Sequence, residues 1–106
     1  MKTLRCETPL GPVTKNIGLM LTERRRLYGD LPAFREREAG GGWRELRWDG
    51  LCDKVAFVGA SLLRLGLGNG CVAVYSRNLE EMMIFELAVM SLGGVVCPIF
   101  SEYPSP

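Results

Sequence analysis

Two glycine-marked breaks in the second half of the chain constrain its fold more than any other feature. Before Gly66, residues Leu51, Val55, Val58 and Leu62 recur at spacings of three and four, which puts them on one apolar face of a helix. Asp49 is placed to cap that helix, predicted over Gly50–Leu65, and Gly66 ends it. Cys71-Val72-Ala73-Val74-Tyr75 then reads as a short strand, apolar throughout in the manner of strands buried on both faces. Asn78 is a candidate cap for the next helix, with Glu81 at the third helical position, the spacing of a capping box. That helix runs to Leu92 and Gly93-Gly94 stops it. Val95-Val96-Cys97-Pro98-Ile99-Phe100 is a second strand. A crossover helix of this length between two strands makes them parallel, with a right-handed connection.

The first half carries weaker signals. Residues 1–13 contain Pro9, Gly11 and Pro12 and show no periodicity, so they are expected to form an irregular arm. Thr14 is a candidate cap for a helix reaching Tyr28, with Ile17, Leu19, Met20, Leu21 and Leu27 as its apolar side. Gly29-Asp30-Leu31-Pro32 ends it. Ala33–Arg37 and Trp43–Trp48 read as two strands joined by Glu38-Ala39-Gly40-Gly41-Gly42, a β-hairpin. The expected architecture is α/β: helix, hairpin, helix, strand, helix, strand, a partial parallel-sheet layer with the hairpin at one edge. Residues 14–106 form one partial subdomain, and Ser101–Pro106 a loop or a cut end.

Several function classes fall away. Thirteen basic and twelve acidic residues leave a net charge of +1, with no general attraction to nucleic acid. The chain has no histidine, which removes His-based triads and His metal ligands from it. Cys6, Cys52, Cys71 and Cys97 have no metal or redox spacing; the last three sit in apolar patterns and are expected to be small buried hydrophobes, as suits a reducing cytoplasm. Residues 40–42 are followed by no Gly-Lys-Ser/Thr and no helix, so they are not a phosphate loop. Residues 66–70 follow a helix and precede a strand, the reverse of a dinucleotide fingerprint. Arg24-Arg25-Arg26 reads as a solvated face near a helix C-terminus, where positive charge is favourable. Met1–Pro9 holds no apolar run of signal-peptide length. The apolar stretch Met82–Phe100 is broken by Gly93-Gly94 and Pro98, which argues for helix plus strand rather than a membrane span.

The helix ending at Leu92 is apolar on every side apart from its first turn, Glu86 and Ser91. Such a helix must be covered on more than one side, and so must the two strands beside it. Three helices are thin cover. The expectation is an exposed apolar surface meant for the rest of a larger protein, with self-association or marginal stability in isolation.

Five stretches, in this order and spacing, resemble the N-terminal segment of the adenylate-forming (AMP-binding) superfamily, and within it the long-chain fatty acyl-CoA synthetases. They are Tyr28-Gly29-Asp30-Leu31-Pro32-Ala33-Phe34, Trp43–Trp48, Leu62-Leu63-Arg64-Leu65-Gly66-Leu67, Val72–Asn78 and Glu86–Ile99. The likeness spans about residues 14–103. One turn departs from it: Gly70-Cys71-Val72 replaces a Gly-Asp-Arg/Lys-Val turn.

That resemblance implies an ATP-dependent fatty acid–CoA ligase, forming an acyl-adenylate and then acyl-CoA, with ATP, Mg²⁺ and coenzyme A as the parent enzyme's cofactors. The motifs that would bind them are absent from these residues. No catalytic, cofactor-binding or metal-binding residue is therefore assigned, and the chain itself is expected to bind no cofactor. It reads as a scaffold fragment, inactive alone, whose partner is the remainder of the parent enzyme. A cytoplasmic location is expected, with the parent peripheral to a membrane as a further option. The alternative is a complete small α/β interaction or ligand-binding module without catalysis.

Overall fold

The computed structural model describes residues 2–101, so Met1 and the expected loop over Glu102–Pro106 lie outside the described residues. Its elements are α1 (Ile17–Tyr28), β1 (Pro32–Arg37), β2 (Trp43–Arg47), α2 (Trp48–Arg64), β3 (Cys71–Ser76), α3 (Glu80–Ser91) and β4 (Val95–Phe100). The α/β character and the predicted element order hold. Strands β3 and β4 pair in parallel, Cys71 opposite Val95 through Ser76 opposite Phe100.

The hairpin does not extend that sheet. β1 and β2 form a separate antiparallel pair, with Phe34 opposite Leu46 and Glu36 opposite Arg44. The expected place at the sheet edge is corrected: the ribbon packs against α2 instead. Its turn is closed by Gly41 N–H donating to the Glu38 carbonyl at 3.0 Å and Glu38 N–H donating to the Gly42 carbonyl at 2.9 Å. Gly41 sits at φ +90°, a conformation costly for any residue with a Cβ.

Each helix start differs from its sequence expectation. α1 is capped by Asn16, not Thr14: the Asn16 Oδ1 accepts the Leu19 N–H at 2.8 Å from an extended backbone. Of its apolar residues, Leu21 is buried, whereas Leu19 and Leu27 are half exposed. α2 begins two residues early, taking Trp48 out of the strand, and its cap position falls to Arg47, which contributes no side-chain bond. Asp49 is thus inside the first turn, where its charge still favours the helix N-terminus. Its N–H donates to the Gly29 carbonyl at 3.1 Å, and its carboxylate lies so close to Gly29 that a Cβ there would come within 2.6 Å of Oδ1. α3 has Leu79 at its cap position, so the Asn78–Glu81 capping box does not form.

The helix ends follow one design twice. Gly66 and Gly93 take φ +76° and +80°. Leu67 N–H donates to the Leu62 carbonyl at 2.9 Å and Gly66 N–H to that of Leu63 at 3.0 Å; Gly94 to Val89 at 3.0 Å and Gly93 to Met90 at 3.1 Å repeat the pattern. Both are Schellman turns, which satisfy carbonyls that the helix leaves open.

The core lies where the three helices meet. Leu21, Leu51, Val55, Leu62, Ile84, Ala88 and Val89 form it, with Val89 fully buried. α3 touches α1, α2 and both strands, the many-sided cover that its apolar surface requires. Among the described residues, no helix is long and apolar enough to cross a membrane.

Candidate functional site

An ionic cluster joins the hairpin to the helices. Glu80, the first residue of α3, is buried, with a side chain only 4% exposed. Its carboxylate receives Lys54 of α2 at 2.5 Å and Arg44 of β2 at 3.2 Å. Arg44 also pairs with Glu36 of β1 at 2.5 Å, and the other Glu36 oxygen accepts the Glu80 backbone N–H at 3.3 Å. Glu36 therefore caps α3 from another element. The Arg44 hydrogen bond, then the Glu80 N–H, hold the Glu36 carboxyl below the usual glutamate range. Two acids and two cations meet here, so the cluster is electrically balanced. Nothing in the sequence periodicity pointed to it; the only local hint was an acidic pair, Glu80-Glu81, opening a helix.

A second set ties α1 to α2. Arg25 contacts Asp53 at 2.7 Å and Asp49 at 3.3 Å, while Arg24 lies over the Tyr28 ring at 5.5 Å. The arginine triplet is thus partly engaged in packing two helices together.

The third feature is the outer face of the parallel sheet. Alternation sends Val72, Val74 and Val96 toward the helices and Cys71, Tyr75, Val95, Cys97 and Ile99 outward. Tyr75 is 69% exposed and Val95 62%. The expectation of buried Cys71 and Cys97 is corrected: both are exposed free thiols, because only one face of the sheet has a helix over it. Cys52 alone is half buried, its Sγ–H donating to the Leu21 carbonyl at 3.4 Å, and burial pushes its thiol pKa up. The expected exposed apolar surface is present. Within α3, the polar exceptions Glu86 and Ser91 each carry a buried oxygen, Oε1 and Oγ, without a hydrogen-bond partner.

At the carboxyl ends of β3 and β4, where open α/β sheets place ligands, Ser76, Arg77, Asn78, Met82, Pro98 and Ile99 line a hollow. The described residues do not fit ATP and Mg²⁺ by themselves. No group of three metal-ligating side chains occurs among them. The first amide of α3 is taken by Glu36, Gly40–Gly42 form the hairpin turn, and Gly66 and Gly93-Gly94 stand at helix C-termini, where carbonyls rather than amides are presented.

The sequence pattern of the AMP-binding enzyme family matches residues 21–106, and the chain belongs to that family. The fold agrees. It superposes on the N-terminal subdomain of Klebsiella oxytoca NpsA with a TM-score of 0.76 and 25% identity, over 86% of this chain and 23% of that one. CmiS6 gives 0.71 and 27%, over 92% of this chain and 26% of that one. IdnL1 gives 0.71 and 25%, over 90% and 19%. The chain therefore spans about a quarter or less of the solved structures that it matches. Among curated proteins, none matches.

Proposed function

We propose that this chain is the opening scaffold segment of an ATP-dependent acid–thiol ligase, which activates a carboxylate as its adenylate and passes the acyl group to coenzyme A. One observation carries the reading: the family match runs over residues 21–106 of a chain whose parallel sheet is covered on one side only. Parallel sheets are stable when both faces are covered, so the outer face calls for further chain. The scaffold role fits the buried ionic cluster, in which Glu36, Arg44, Lys54 and Glu80 hold the hairpin, α2 and α3 together.

For the acid, we propose a long-chain fatty acid, on the strength of the five stretches from Tyr28 to Ile99 alone. NpsA has been solved with 3-hydroxyanthranilyl-AMSN, which makes an aromatic acid the natural competitor. ATP, Mg²⁺ and coenzyme A would be held by chain outside these residues. The free thiols suit a reducing compartment, and we place the protein in the cytoplasm, with the parent enzyme at the membrane periphery.

ATP–pyrophosphate exchange tests this. The 106-residue chain alone should give no exchange with any acid. A polypeptide extended along the reading frame past Pro106 should exchange with palmitate and form palmitoyl-CoA. Exchange by the short chain would overturn the scaffold reading, preference for 3-hydroxyanthranilate would overturn the fatty-acid assignment, and a frame that stops at Pro106 would favour a self-contained module.

A further inference from the structure

The outer face of the hairpin carries more positive than negative side chains. Strand alternation turns Phe34, Glu36, Arg44 and Leu46 toward the body and Arg35, Arg37, Trp43, Glu45 and Arg47 outward. Arg35 is held by Glu45 through two nitrogens, at 3.1 and 3.0 Å. Among the described residues, neither Arg37 nor Arg47 has a carboxylate within ion-pair distance. Trp43 stands opposite Arg37 in the ribbon, is 66% exposed, and shares a shallow hollow with Arg35 and Glu45.

Three observations make this more than a solvated strand. The inner cluster is neutral and the Arg25 set has two acids to one base, whereas the outer face of the ribbon sets three arginines, Arg35, Arg37 and Arg47, against one acid, Glu45. The ribbon is anchored from behind by Glu36, Arg44 and Glu80, which fixes the direction in which the outer side chains are presented. Tryptophan and arginine are the residue types that dominate interface energetics, because each combines large area with directional contact.

We propose that this face docks an acidic protein segment: one carboxylate on Arg37 beside an apolar side chain on Trp43, and a second on Arg47. The four-residue offset along β2 sets the two carboxylates about 14 Å apart. An anionic membrane is the weaker fit, since two unpaired arginines are too few basic residues for a stable hold on a lipid surface. A protein partner adds the Trp43 contact and bidentate geometry at each arginine.

The test uses the 106-residue chain and a fluorescein-labelled peptide of ten glutamates with one central leucine, read by anisotropy at low salt. Saturable binding is expected, lost on adding salt. It should weaken about tenfold in R37E/R47E and measurably in W43A. The control R24E/R26E makes the same change in net charge on α1 and should leave binding unchanged, with circular dichroism confirming that all variants fold. Equal weakening in both double variants would reduce the effect to net charge and overturn the proposal. So would absence of peptide binding, or binding to phosphatidylserine vesicles in its place.

Discussion

The Glu36 carboxylate on β1 accepts the backbone N–H of Glu80 across a sequence separation of 44 residues, at 3.3 Å. A helix start that lacks a cap of its own is completed by a strand that the chain laid down much earlier.

Acid should undo this arrangement in a defined order. Because the folded state depresses the Glu36 pKa, its stabilising contribution is complete above the ordinary glutamate range. It is lost as pH falls through that range toward the depressed value. Glu36→Gln should melt lower than the parent chain at neutral pH, and the difference should close in acid. Thermal melts across that pH range check this; a gap that persists at low pH would separate Glu36 from the effect.

Glu80 is the buried member of the cluster, and Glu80→Gln keeps its shape while removing its charge. Bonds to charged groups contribute about 1.5–3 kcal/mol, so a loss in that range is expected in denaturant unfolding. Replacing Lys54 should also destabilise, because it takes a partner from a carboxylate that is only 4% exposed.

The two Schellman glycines and the residue beyond one of them make a graded series. Gly66→Ala and Gly93→Ala each force a Cβ into the left-handed region and should cost about 1 kcal/mol. Gly94→Ala should cost more than either: its Cβ would stand 2.8 Å from the Val89 Cγ1 and 3.0 Å from the Gly70 carbonyl oxygen, and the latter is backbone that cannot step aside. An order with Gly94→Ala least harmful would contradict the packing described.

Thiol reactivity reads out the sheet face. Cys6, Cys71 and Cys97 are exposed and should react rapidly with an aromatic disulfide reagent, while Cys52 should lag and need higher pH, because burial raises its pKa. Val95→Glu should reduce binding of an apolar dye and any self-association without lowering the melting temperature, as expected of a position outside the core.

The helices and strands from Leu51 to Phe100 were legible because apolar periodicity and glycine stops are local signals. Their starts were not. Thr14, Asp49 and Asn78 all have capping chemistry, yet Asn16, Arg47 and Leu79 hold the positions, since tertiary contacts choose among nearby candidates: Asp49 is drawn to Arg25, and α3 has Glu36. Cys71 and Cys97 look like core residues in the sequence, and their exposure depends on a covering layer that no local pattern could count. The cluster at Glu80 was invisible for the same reason, being assembled from three distant stretches.

The segments that follow the two Schellman turns meet each other, with Val95 N–H donating to the Gly70 carbonyl at 3.0 Å. Both faces of β3 and β4 are apolar, so side-chain pattern alone would tolerate a two-residue slip of one strand along the other. The contact between Gly70 and Val95 pins the strands at their starting ends and removes that freedom. Alignment is thus decided by two loops before any side chain is compared, and strands added later to either open edge would inherit a frame already free of slippage.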